Sequence, residues 1–158
     1  MQRVNIEAPA FRYDPARPDG YRRGSLQLGP LIAADQLGAT VYELPPGQAI
    51  CPYHYEHAEE EWLLVLAGNP SLRHPQGVDT LAPWDVVCFP PGPDGAHKLT
   101  NDTEQPVRLL LVSTVRLPTA SVYPDSDKVA IWTEGRRDDL IVRRASGVDY
   151  WSGETGED

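Results

Sequence analysis

The sequence has no run of basic residues longer than the pairs Arg22-Arg23, Arg136-Arg137 and Arg143-Arg144. With 14 Lys and Arg against 23 Asp and Glu, a net charge of −9, it lacks the positive face that nucleic acid or an anionic membrane attracts. No apolar run approaches a membrane span, and the start MQRVNIEAPAF has no apolar core of signal-peptide length. Two cysteines, Cys51 and Cys88, are too few for a disulfide framework; the expectation is two buried free thiols in a cytoplasmic protein. No repeat of solenoid type is visible, and long helical periodicity is missing. The 16 prolines and 13 glycines punctuate the chain every few residues, which favours short strands and turns.

What remains is a 158-residue chain, apolar enough at 41% to build one core. Residues 1–25, rich in Pro, Arg and Asp, read as an irregular N-terminal arm. From residue 26 to 117 short extended stretches follow at hairpin spacing. LQLGPLIAADQLGA carries a short helical turn before the strand TVYELPPG, which Pro45-Pro46-Gly47 ends. AICPYHYE and EWLLVLAG are expected to form a hairpin, the second strand being apolar enough for both faces to be covered. SLRH and VDTLA read as a second hairpin. DVVCFP, AHKLTN and VRLLLVST read as three further strands. Residues 118–158 form a C-terminal extension with the extended pieces AIWT and LIVRR, expected to pack on the barrel or on a partner subunit. Seven to nine short strands with almost no helix predict an antiparallel sandwich or barrel.

One stretch concentrates metal-capable side chains. Gly47 to Gly68, GQAICPYHYEHAEEEWLLVLAG, holds His54, Glu56, His57, Glu59, Glu60 and Glu61. Alternation in an extended chain projects His54 and Glu56 to one face. Glu61, opening the next strand, can face the same space, and His97 in PWDVVCFPPGPDGAHKLTN can complete it. Carboxylates and imidazoles crowded together repel unless a cation or protons neutralise them. His57 could replace Glu56 if a bulge turned it inward, whereas strand alternation favours Glu56. Cys51, three residues before His54, is expected on the opposite face, and Cys88 in the core. Glu59 and Glu60 are expected in a solvated turn.

These residues resemble the cupin family. Gly47, His54, Glu61 and Gly68 match the first cupin motif, and Pro90-Pro91-Gly92, His97 and Asn101 match the second. Glu56 stands where the first motif has its second histidine, Trp84 replaces a glycine, and the Pro-Asp-Gly loop before His97 is two residues longer than usual. The resemblance implies an all-β fold, a double-stranded β-helix (jelly-roll) barrel carrying the arm and the extension. It also implies a metal held by His54, Glu56, Glu61 and His97. Mixed nitrogen and oxygen ligation suits manganese, iron or nickel, ahead of zinc or cobalt. The function so implied is a metal-dependent enzyme of dioxygenase or isomerase type acting on a small organic molecule. The alternative is a binding module that captures a small ligand without turnover, with or without metal. A homodimer is expected, and catalytic residues beyond the metal set are not indicated.

Overall fold

The computed structural model describes residues 1–156, and among these the regular structure is almost entirely strand. In chain order the strands are β1 (Arg12–Tyr13), β2 (Gly24–Gln27), β3 (Leu37–Leu44), β4 (Tyr55–Glu56), β5 (Glu61–Ala67), β6 (Ser71–His74) and β7 (Gly77–Thr80). They continue as β8 (Val86–Phe89), β9 (Lys98–Thr100), β10 (Val107–Thr114), β11 (Thr119–Tyr123), β12 (Lys128–Trp132) and β13 (Leu140–Arg143). Among the described residues one α-helical turn, α1 (Gly29–Ile32), sits between β2 and β3, and no described helix is long and apolar enough to cross a membrane.

A six-stranded antiparallel sheet in the order β1-β2-β3-β10-β5-β8 forms one wall of a jelly-roll barrel. Facing it is the three-stranded sheet β7-β6-β9, which the segment Ala49–His54 extends through bridges Ala49↔Thr100 and His54↔His97. A third sheet, β13-β12-β11-β4, joins the C-terminal extension to the barrel. Register explains the core. Tyr42, Leu109 and Val65 are paired across β3, β10 and β5 and therefore share a face, as do Leu111 and Leu63. Leu44, Leu63, Val65, Val107 and Leu109 from this wall meet Ile50, Leu72 and Leu99 from the other. Each such buried aliphatic side chain stabilises the fold by about 2 kcal/mol.

Three expectations fail, each for a physical reason. The hairpin of AICPYHYE with EWLLVLAG does not form: β4 pairs with β11, and β5 pairs with β10 and β8. Local alternation specifies which face a side chain takes but not which strand becomes its neighbour. β5 is not covered on both faces, because Trp62 on its outer side is 53% exposed. Cys88 pairs with Trp62 on that same outer face and is exposed rather than in the core.

Candidate metal centre

Backbone pairing brings the two histidines together. His54 N–H donates to His97 O at 3.1 Å and His97 N–H to His54 O at 2.8 Å, so their side chains emerge beside one another. The ring centroids are 4.8 Å apart. Register does the same for the acid: Glu61 pairs with Phe89, and the Phe89 ring stacks on the His97 ring at 3.7 Å between centroids. On the other side Tyr123 of β11 stacks on His54 at 5.7 Å. His54, Glu61 and His97 each offer one ligand atom, all within 4.8 Å of one another.

The hydrogen bonds assign the tautomers. His97 Nδ1 lies 2.9 Å from Gly95 O, and His54 Nδ1 lies 3.1 Å from Pro52 O. A carbonyl can only accept, so both Nδ1 atoms carry a proton, and the neutral imidazole of each ring has its lone pair on Nε2. His97 Nε2 is 3.6 Å from Glu61 Oε2, too far for a hydrogen bond. Burial pushes the Glu61 carboxyl up to about 7, with Glu56 and Glu59 adding to the rise and His54 opposing it. Burial and then His54 lower His97 to about 3, which keeps its imidazole neutral. Two imidazoles that present Nε2 beside the Glu61 carboxyl are a donor set that fits a divalent cation.

Glu56 stands next to this trio. Its Oε1 is 3.6 Å from His54 Nε2, and both of its oxygens lie within 2.8 Å of the buried Ser121 hydroxyl. Ser121 in turn accepts a hydrogen bond from Trp132 Nε1 at 2.6 Å. The chain Trp132–Ser121–Glu56 ties the C-terminal extension to the site, and nothing around Ser121 in the sequence announces it. His57 is exposed against the Tyr55 ring, away from the trio. Glu60 is also outside, accepting from Trp62 Nε1 on the outer face. Glu59 is half-buried, and burial together with Glu56 raises its carboxyl. Cys51 does not take the opposite face: its Sγ is 3.5 Å from His54 Nδ1 because the chain bulges between the two bridges. Asn101 is a clamp rather than a ligand, its Nδ2 donating to Leu44 O and Gln105 O at 2.7 and 2.8 Å.

Comparison with known proteins follows the same lines. The cupin domain model matches residues 40–113, which contain both motifs. A sugar phosphate isomerase of the cupin superfamily from Silicibacter pomeroyi is 25% identical with a TM-score of 0.79, over 92% of this chain and 94% of that one. A proposed sugar phosphate isomerase from Acidithiobacillus ferrooxidans is 26% identical with a TM-score of 0.76, over 82% and 81% of the two chains. A polyketide cyclase from Streptomyces resistomycificus is 25% identical with a TM-score of 0.60, over 75% and 83%. No curated protein sequence matches the chain. The motifs, the barrel and the matched domain agree: residues 40–113 match the cupin domain, and the chain shares its jelly-roll fold with proteins of the cupin superfamily.

Proposed function

We propose that the protein is a metal-dependent enzyme that isomerises a small sugar-type substrate. The observation carrying this reading is the clustering of His54, Glu61 and His97, whose ligand atoms all lie within 4.8 Å of one another while the carbonyls of Pro52 and Gly95 occupy the two Nδ1 atoms. His54, Glu61 and His97 would hold the ion, and Glu56, fixed by Ser121, is the fourth donor. Manganese, iron or nickel suits this set, with zinc or cobalt next. A bound divalent ion supplies Lewis acidity toward a substrate carbonyl or hydroxyl. The protein's own groups prepare the place for it. Phe89 shields one face of His97, Tyr123 covers one face of His54, and the partly open carboxylates of Glu56 and Glu61 leave the approach from solvent. Isomerisation is preferred to dioxygenation because two structural relatives that match most of this chain bear the name sugar phosphate isomerase.

The test is deuterium exchange: protein loaded with manganese or nickel is incubated with a panel of aldose and ketose phosphates in heavy water and followed by proton NMR. Wash-in of deuterium beside the carbonyl carbon, lost in His97→Ala, supports the enzyme. Stoichiometric metal with neither deuterium exchange nor aldose–ketose interconversion on any member of the panel replaces it with the non-catalytic binding module.

The partner we propose besides the substrate is a second copy of this chain. Trp62, Leu64, Val86, Leu110 and Val112 form an uncharged apolar strip on the outer face of the six-stranded sheet. There two copies of a chain carrying −9 can approach with least repulsion.

A further inference from the structure

The outermost strand of the C-terminal extension has an open side. β13 stands at the edge of the sheet β13-β12-β11-β4, and among the described residues nothing pairs with its outer edge. All its side chains are exposed, Leu140, Ile141 and Val142 at 48%, 55% and 38%. Its pairing with β12 is regular, with no bulge or proline to spoil the edge for another strand. Hydrogen bonding gives the direction of the backbone. Arg144 N–H donates to Asp127 O, one step beyond the Lys128↔Arg143 pair, so alternation turns the backbone groups of Val142 and Leu140 to β12 as well. The N–H and C=O of Ile141 and the N–H of Arg143 are left pointing outward.

The residues along this edge run Asp138-Asp139-Leu140-Ile141-Val142-Arg143-Arg144, acid before the apolar centre and base after it. An edge guarded against its own copies does best with charge of one sign, which repels them; this order does the reverse. Outward groups must meet outward groups, so an antiparallel copy can pair only odd positions with odd ones. Of those registers, the one centred on Ile141 opposes Asp138 to Arg144, Asp139 to Arg143 and Leu140 to Val142. Asp139 is already engaged in the chain, accepting from Thr133 N–H at 2.8 Å. Asp138 and Arg144 are exposed, and neither side chain has a partner among the described residues.

We propose that β13 is a docking edge for a second copy of this chain, paired antiparallel about Ile141 so that two four-stranded sheets become one. Ile141 exchanges both backbone hydrogen bonds with its counterpart, Leu140 packs on Val142 of the copy, and two Asp138–Arg144 pairs close the ends. This contact needs neither the metal nor the isomerase reading. It also lies on a different sheet from the strip of Trp62 and Val86, so the two surfaces can be tested apart.

The experiment is sedimentation of the whole chain carrying Trp62→Glu, which removes the strip as a source of association, with amide hydrogen exchange read on the same samples. This parent should be a dimer at high micromolar concentration, its Ile141 amide protected. Asp138→Arg opposes arginine to arginine at both ends of the contact and should weaken the dimer by about tenfold; Arg144→Asp, opposing acid to acid, should do the same. Asp138→Arg combined with Arg144→Asp in one chain, and an equimolar mixture of the two single variants, should each recover it. Ile141→Pro removes an outward N–H that β12 does not use and should abolish the dimer. If Ile141→Pro fails to fold, the charge series at exposed positions decides. A monomeric parent, or a dimer that both single charge variants leave unchanged, overturns the proposal. A loss that neither the combined variant nor the mixture recovers does the same.

Discussion

The two imidazoles of the site are held by different parts of the chain. His97 is fixed within the barrel, by Gly95 O and the Phe89 ring. His54 leans on Tyr123, and its neighbour Glu56 depends on Ser121, both from the C-terminal extension. Ser121→Ala therefore leaves Trp132 Nε1 and the Glu56 carboxylate without their shared partner. It should lower stability by about 1–3 kcal/mol in a denaturant melt. A melt unchanged by this substitution would remove Ser121 as the anchor. A second residue-scale effect concerns acid. The two hydrogen bonds from Arg73 hold the Asp125 carboxyl below its usual range, so the folded state binds fewer protons than the unfolded one. The stability this contributes is fully present above the ordinary carboxylate pKa of about 4 and is lost as pH falls through the lowered value. Because the pair is about half exposed, the gain is under about 1 kcal/mol. The deficit of Arg73→Gln relative to wild type should be measurable at neutral pH and vanish in strong acid; a deficit independent of pH would refute it.

At the scale of elements, the loop between β8 and β9 is the most exacting piece. A Cβ added at Gly95 would lie 1.9 Å from Pro90 O and 3.0 Å from Pro90 C, both backbone atoms that cannot swing aside. Gly95→Ala should therefore cost at least about 3 kcal/mol and displace the carbonyl that orients His97. Thermal melts and metal titration together check this, and a stable variant that titrates like wild type would contradict it. The sequence made this loop visible as a turn but not as a clash, since the tolerance of a glycine depends on what folds back over it. The same limit hid the partner of β4. Alternation correctly placed Glu56 beside His54 rather than His57, because facing is a local property. That Glu56 would pair with Ser121, 65 positions away, had no local trace. Trp84, a departure from the motif's glycine, holds the left-handed φ of 76° that a glycine would take without strain.

For the whole molecule, the barrel was legible because turn residues and short apolar strands recur along the chain, and His97 was legible as a partner of His54 through the paired motifs. Whether the outer face of β5 is covered was not, because a continuous apolar strand looks the same against its own chain, a second copy or water. The proposed homodimer predicts that Trp62→Glu, which places charge in the strip, halves the mass found by sedimentation without unfolding the chain. A wild-type monomer at micromolar concentration would end that idea. The central claim is met most directly by elemental analysis. Wild type and His97→Ala are purified without chelator, supplied in turn with manganese, iron(II), nickel, zinc and cobalt, and freed of excess. The account predicts about one tightly held ion per wild-type chain and none in a folded His97→Ala. A wild-type protein that stays metal-free, or a His97→Ala variant that keeps its ion, would contradict it.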